Sequence, residues 1–166
     1  LFPYTTLFRS AAAFVADRFG CCDILVHSAG LNVRERNWKH LSTAGWDQVL
    51  RIDLDGTFYC CHAVLPMMRA QKDGLIVNVS SWAGRFVGTM TGPAYSAAKF
   101  GVNAMTESLN IEEGLHGIRA TAVCPGEVST PILDKRPKEP RVWMSLGHAL
   151  KTEGQTERAI IAYRRA

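Results

Sequence analysis

Residues 75–99 read LIVNVSSWAGRFVGTMTGPAYSAAK, and this stretch decides the fold. It opens on an apolar, β-branched run, LIVNV (75–79), with the length and composition of a buried strand. A loop of small residues follows at 80–92. It ends at Gly92-Pro93, and proline, whose fixed φ suits a first helical turn, is at home there. From Pro93 the pattern predicts a long helix to residue 115. Tyr95 and Lys99 stand four apart on that helix, and so share a face.

The same alternation continues in both directions. DILVH (23–27), between Gly20 and Gly30, predicts a strand, and so does IRATAV (118–123), which Pro125-Gly126 ends. Between the first two strands, residues 43–71 predict one long helix. Trp46, Val49, Leu50, Leu54, Phe58, Cys61, Leu65 and Met68 recur there near the helical period, and Asp73-Gly74 breaks it. Residues 11–19 predict a short amphipathic helix stopped by Gly20, and residues 32–42 a polar loop. Strands alternating with long helices imply βαβ units, hence an α/β fold with a doubly wound parallel sheet. Near-continuous apolar strands are what such a sheet shows when helices cover both of its faces.

Bulk properties restrict the functional class. The 166 residues are 47% hydrophobic and 20% charged, with net charge +4, which is ordinary for one globular domain. The densest basic cluster, Lys135, Arg136, Lys138 and Arg141, lies among prolines and lacks interleaved aromatics. It reads as a solvated linker, not a nucleic-acid surface. Cys21, Cys22, Cys60, Cys61 and Cys124 form no C-x-x-C, and no histidine spacing suggests zinc. They read as free thiols in a reducing compartment, so a cytoplasmic location is expected and no metal. No apolar stretch has the length of a membrane-spanning helix.

The chemistry-bearing residues cluster where the predicted strands end. Tyr95-Ser96-Ala97-Ala98-Lys99 places an ammonium one helical turn from a phenol. A tyrosine titrates near ~10 when unperturbed, and a close cation favours the phenolate by roughly 1–3 units. That moves the phenol toward the range of a general acid or base. Ser80-Ser81 follows the second strand directly. A serine at a strand's C-terminal end in an open parallel sheet sits where ligands bind, and its hydroxyl can support a developing alkoxide. His27-Ser28-Ala29-Gly30 follows the first strand, and Cys124-Pro125-Gly126-Glu127-Val128-Ser129-Thr130 the third. Small residues at such ends let a ligand approach the backbone.

These motifs, in this order, resemble the short-chain dehydrogenase/reductase family over residues 11–138. The resemblance implies a partial Rossmann-like domain and an NAD(P)-dependent enzyme acting on an alcohol or ketone. It implies catalytic roles for Ser81, Tyr95, Lys99 and Asp53, the last in Ile52-Asp53-Leu54-Asp55-Gly56 where the family carries Asn. It implies cofactor contacts at Ala29, Gly30, Tyr95, Lys99, Pro125, Gly126, Val128 and Thr130. By the resemblance Tyr95 exchanges the hydroxyl proton, Lys99 lowers the Tyr95 pKa and binds the nicotinamide ribose, and Ser81 orients the substrate oxygen. Asp53 would help hold a water-linked proton path. His27-Ser28 replaces two asparagines of the family motif. The Ser81–Tyr95 separation is one residue longer than in many members. The resemblance also implies a homo-oligomeric ancestor and a small-molecule substrate, with no nucleic acid and no membrane as partner.

The flanks read differently. LFPYTTLFRS (1–10) resembles a translated sequencing adapter and is expected to be a non-native scar. The family's glycine-rich phosphate loop, T-G-x-x-x-G-x-G, is not in the sequence, and with it goes the residue that selects NAD or NADP. Weak cofactor binding by this chain alone, or none, is therefore expected. Trp143, Leu146, Gly147, Leu150, Gly154, Ala159, Tyr163 and Ala166 resemble a single tetratricopeptide repeat. Residues 140–166 would then form a helical hairpin able to contact a protein. The alternatives to an oxidoreductase are an inactive chimeric fragment and a tetratricopeptide-type interaction module.

Overall fold

The computed structural model describes residues 3–126, 128, 151 and 154–164. Helix α1 spans Pro3–Phe19 and is longer than the 11–19 segment expected. Its early turns are anchored by a stacked ring pair, Phe8 on Tyr59, with centroids 6.1 Å apart. Gly20 ends the helix with a positive φ of 72°, and its N–H donates to the Ala16 carbonyl at 2.8 Å.

Three strands follow: β1, Ile24–His27; β2, Gly74–Val79; and β3, Ile118–Val123. They form one parallel sheet in the order β1-β2-β3, with Ile24 opposite Leu75 and Gly74 opposite Ile118. Parallel neighbours need long crossovers, and helices supply both. The second crossover is α4, Pro93–Glu113, closed by a 3-10 turn at Gly114–His116. Gly92 starts α4 at φ 75°. A Cβ there would stand 2.1 Å from the Arg36 carbonyl oxygen, so glycine is required twice over.

The first crossover departs from the single helix expected at 43–71. It runs as α2, Thr43–Val49, then a π-helical segment, Leu50–Asp55, then α3, Gly56–Gln71. Ser42 caps α2, its Oγ accepting from the Gly45 N–H at 3.1 Å. The π segment lets in one extra residue per turn, and such segments often mark functional sites. Here it carries Asp53.

One face of the sheet is covered. Cys61, Val64, Leu65 and Met68 of α3 form a core cluster with Ile76 and Ile118, and Leu25, Leu109 and Ala120 pack against it. A second cluster joins Val49 of α2 to Ala94 and Ala98 of α4. The opposite face is more open: Ile24 and Val26 are each 60% exposed and Val123 is 46% exposed. The α/β reading stands, but burial on both faces does not hold for β1 and β3, while β2 alternates buried and half-buried residues. α3 and α4 pack on the same side, so alternate strand residues face away from them. Among the described residues no helix is long and apolar enough to cross a membrane.

Of the tetratricopeptide-like segment, Thr156–Arg164 forms helix α5. The first helix expected there lies outside the described residues apart from Lys151.

Candidate active site

The site lies at the C-terminal ends of the strands and is assembled around Lys99. Lys99 sits on α4 one turn after Tyr95, with its Nζ 5.5 Å from the centre of the Tyr95 ring. The lysine is buried. Its Nζ donates to the Val79 carbonyl at the end of β2, at 3.2 Å. It also lies 3.5 Å from Asp53 Oδ2, an ion pair whose side chains are 4% and 0% exposed. A buried lysine needs such partners to keep its charge.

Asp53 is placed by the π segment. Its Oδ1 accepts from the Leu31 N–H at 2.8 Å, which ties the first crossover to the loop after β1. Burial pushes the Asp53 carboxyl above the ordinary carboxylate range, while Lys99 and the Leu31 N–H pull the other way. Gly30 sits against this pair. A Cβ there would lie 3.3 Å from Lys99 Nζ and 3.4 Å from Asp53 Oδ2, so the glycine admits the pair at close range.

Two serines follow β2, and the structure separates them. The Ser80 Oγ donates to the main-chain carbonyl of Lys99 at 3.2 Å. Ser81 caps the short 3-10 helix Trp82–Gly84, its Oγ accepting from the Ala83 N–H at 3.1 Å. That bond uses a lone pair and leaves the Ser81 hydroxyl proton to give. The Trp82 N–H donates to the Pro125 carbonyl at 2.9 Å, so the serine loop is stitched to the Pro125-Gly126 turn.

The geometry thus brings together Tyr95, Lys99, Asp53 and Gly30, and links the Ser81 loop to α4 and to Pro125. Ala29 and Gly126 are exposed, and Val128 is 48% exposed. Thr130 lies outside the described residues. Sequence reading did not reach the pair His27 and Thr57. His27 is buried, with Nδ1 3.2 Å from Thr57 Oγ1, and that hydroxyl donates to the Asp53 carbonyl at 2.6 Å. Burial, then the Lys99 charge, lowers the His27 pKa. The only sequence signal was a histidine standing where the family motif has asparagine. Among the described residues no cluster of His, Cys, Asp or Glu could hold a metal ion. A cavity of about 760 Å³ lies beside the start of α4, lined by Trp38, Val87, Ser96 and Phe100 among others. It sits on the neighbouring face of the helix from Tyr95 and Lys99.

The chain is 33% identical to the D-beta-hydroxybutyrate dehydrogenase of Rhizobium meliloti, over 90% of this chain and 54% of that protein. It is 39% identical to the cis-4-hydroxycyclohexanecarboxylate dehydrogenase of Sinomonas cyclohexanicum, over 78% of this chain and 52% of that protein. Among solved structures, a gluconate 5-dehydrogenase from Burkholderia cenocepacia in complex with NADP and tartrate superposes with a TM-score of 0.73. It is 28% identical, and the match covers 79% of this chain and 51% of that one. The chain spans about half the length of the relatives it matches. The family model described as short chain dehydrogenase matches residues 6–141, which takes in the whole sheet and every site residue named above. That match, over a three-stranded parallel sheet with Tyr95 and Lys99 on the helix beside it, places the chain in the short-chain dehydrogenase family.

Proposed function

We propose that this chain carries the proton-transfer half of an NAD(P)-dependent oxidoreductase acting on a secondary alcohol or ketone. The observation that carries the reading is the buried ammonium of Lys99, 5.5 Å from the Tyr95 ring and fixed by Val79 and Asp53. A fixed cation beside a phenol favours the phenolate. In the oxidative direction the Tyr95 oxygen takes the hydroxyl proton of the alcohol. In the reductive direction it returns that proton to the forming alkoxide. The Ser81 hydroxyl donates to the same substrate oxygen and holds it in line. The substrate classes named for the relatives, a hydroxybutyrate and a hydroxycyclohexanecarboxylate, support an alcohol substrate.

The residues present fit the nicotinamide–ribose end of the cofactor. Gly30, exposed after β1, lets the backbone come close to the Lys99–Asp53 pair, where a Cβ would stand 3.3 Å from Lys99 Nζ. Ala29, Gly30, Tyr95, Lys99, Pro125, Gly126 and Val128 would line that end, and Lys99 would offer its ammonium to the ribose hydroxyls. When bound, the nicotinamide supplies or accepts the hydride. The five free thiols support a reducing, cytoplasmic setting.

The test is turnover of hydroxybutyrate and of cis-4-hydroxycyclohexanecarboxylate with either cofactor, followed by nicotinamide absorbance. Tyr95→Phe should keep the fold and lower turnover by roughly a hundredfold or more. Turnover unchanged in that variant would remove Tyr95 from the chemistry.

A further inference from the structure

At position 53 the resemblance leads one to expect asparagine, and this chain has an acid. The acid is fully buried, and its Oδ2 lies 3.5 Å from the ammonium that faces Tyr95. Lys99 is therefore shared: its ammonium lies 3.5 Å from the Asp53 carboxylate and 5.5 Å from the centre of the Tyr95 ring. We propose that Asp53 is a positioning residue that acts through Lys99, holding the ammonium against the end of β2 while offsetting part of the charge that would stabilise the Tyr95 phenolate. This rests on the reading of Tyr95 and Lys99 as the proton-transfer pair.

The titratable groups described beside Lys99 are Tyr95 on α4 and Asp53 on the π segment, and the charge of Lys99 also reaches His27 at the end of β1. His27 is kept neutral by burial and by the charge of Lys99, so it adds no charge where Tyr95 titrates. The loop after β1 contributes Gly30 and the Leu31 N–H, and β2 contributes the Val79 carbonyl. None of these changes charge. Asp53 is then the one anion described at this lysine. A like charge near a group about to become anionic disfavours that ionisation.

Asp53→Asn is the informative variant. An amide oxygen can still accept from the Leu31 N–H, and the side-chain volume is kept. Lys99 retains the Val79 carbonyl as its hydrogen-bond acceptor. The probe is the ζ-carbon resonance of Tyr95 in the full chain labelled with carbon-13 tyrosine, assigned by its loss in Tyr95→Phe and followed against pH. Asp53→Asn should lower the Tyr95 midpoint by roughly one pH unit, and Asp53→Glu should leave it near the unaltered value. A midpoint that stays put or rises in a folded Asp53→Asn protein overturns the proposal. A second measurement needs no variant: the Asp53 carboxyl carbon must report an ionised group throughout the range in which Tyr95 titrates, and a protonated one there overturns the proposal equally. Lys99→Met separates the two levels. If it raises the Tyr95 midpoint while Asp53→Asn moves nothing, only the role of Asp53 fails. If Lys99→Met also moves nothing, the proton-transfer pair itself fails.

Discussion

The hydroxyl of Ser80 donates to the main-chain carbonyl of Lys99 at 3.2 Å, and so the first of two adjacent serines is a strut between β2 and α4. Ser81, one residue on, spends only an acceptor lone pair, on the Ala83 N–H. The two should therefore fail differently. Ser80→Ala should cost about 1 kcal/mol of stability with turnover largely retained. Ser81→Ala should cost a similar amount, since it strands the buried Ala83 N–H, but should also reduce kcat by roughly a hundredfold. Urea unfolding and steady-state kinetics on both variants check this, and the reverse pattern would exchange the assignments.

A second buried polar link lies deeper along the same pair of elements. Asn78 is fully buried on β2, and its side-chain amide donates to Thr106 Oγ1 on α4 at 3.0 Å. Thr106→Val keeps the shape and removes the acceptor, stranding a buried N–H. The expected loss is about 1–3 kcal/mol, measured as a shift of the urea midpoint at constant slope. Replacing both partners, with Asn78→Leu added, should recover part of it. A single variant as stable as the unaltered protein would mean that the amide finds another acceptor.

The far end of α4 makes stability depend on acid. Arg69 of α3 holds Glu113 with two hydrogen bonds, one of them from Nε at 2.7 Å. The bond from Arg69 is the main cause that lowers the Glu113 pKa from its ordinary 4.5. A carboxyl whose folded pKa is depressed stabilises the fold above its unfolded value. That contribution disappears as pH falls through the lower, folded value. Between neutrality and about pH 3, the unaltered protein should lose more thermal stability than Glu113→Gln does. Parallel melting curves for the two proteins across that range would contradict the assignment.

Much of this was legible in the sequence, for a definable reason. LIVNV and IRATAV are apolar runs with glycine or proline beside them, and such punctuation is local, so the strands emerge within a residue of where they fold. Tyr95 and Lys99 were legible because four residues of helix fix their relation. The π segment at Leu50–Asp55 was not, since the apolar spacing runs through it almost unbroken and no residue type announces an extra residue in a turn. The partnership of His27 with Thr57 was equally hidden, since the two are 30 residues apart and meet only when β1 docks on α3. Strand burial was overread: Ile24 and Val26 are as apolar as a two-sided strand requires, yet the described helices reach only the other side of the sheet. Which serine acts is implied by the resemblance alone; the bond from Ser80 to the Lys99 carbonyl occupies the first hydroxyl and so supports Ser81.

On the proposed function, the Lys99 end of this chain receives the nicotinamide half of a dinucleotide. Saturation-transfer difference spectra of the full chain with NADPH test this even when binding is weak. Stronger saturation of the nicotinamide protons than of the adenine protons is expected, with loss of that signal in Lys99→Met. Adenine protons saturated as strongly as the nicotinamide ones, or a signal indifferent to Lys99→Met, would contradict it.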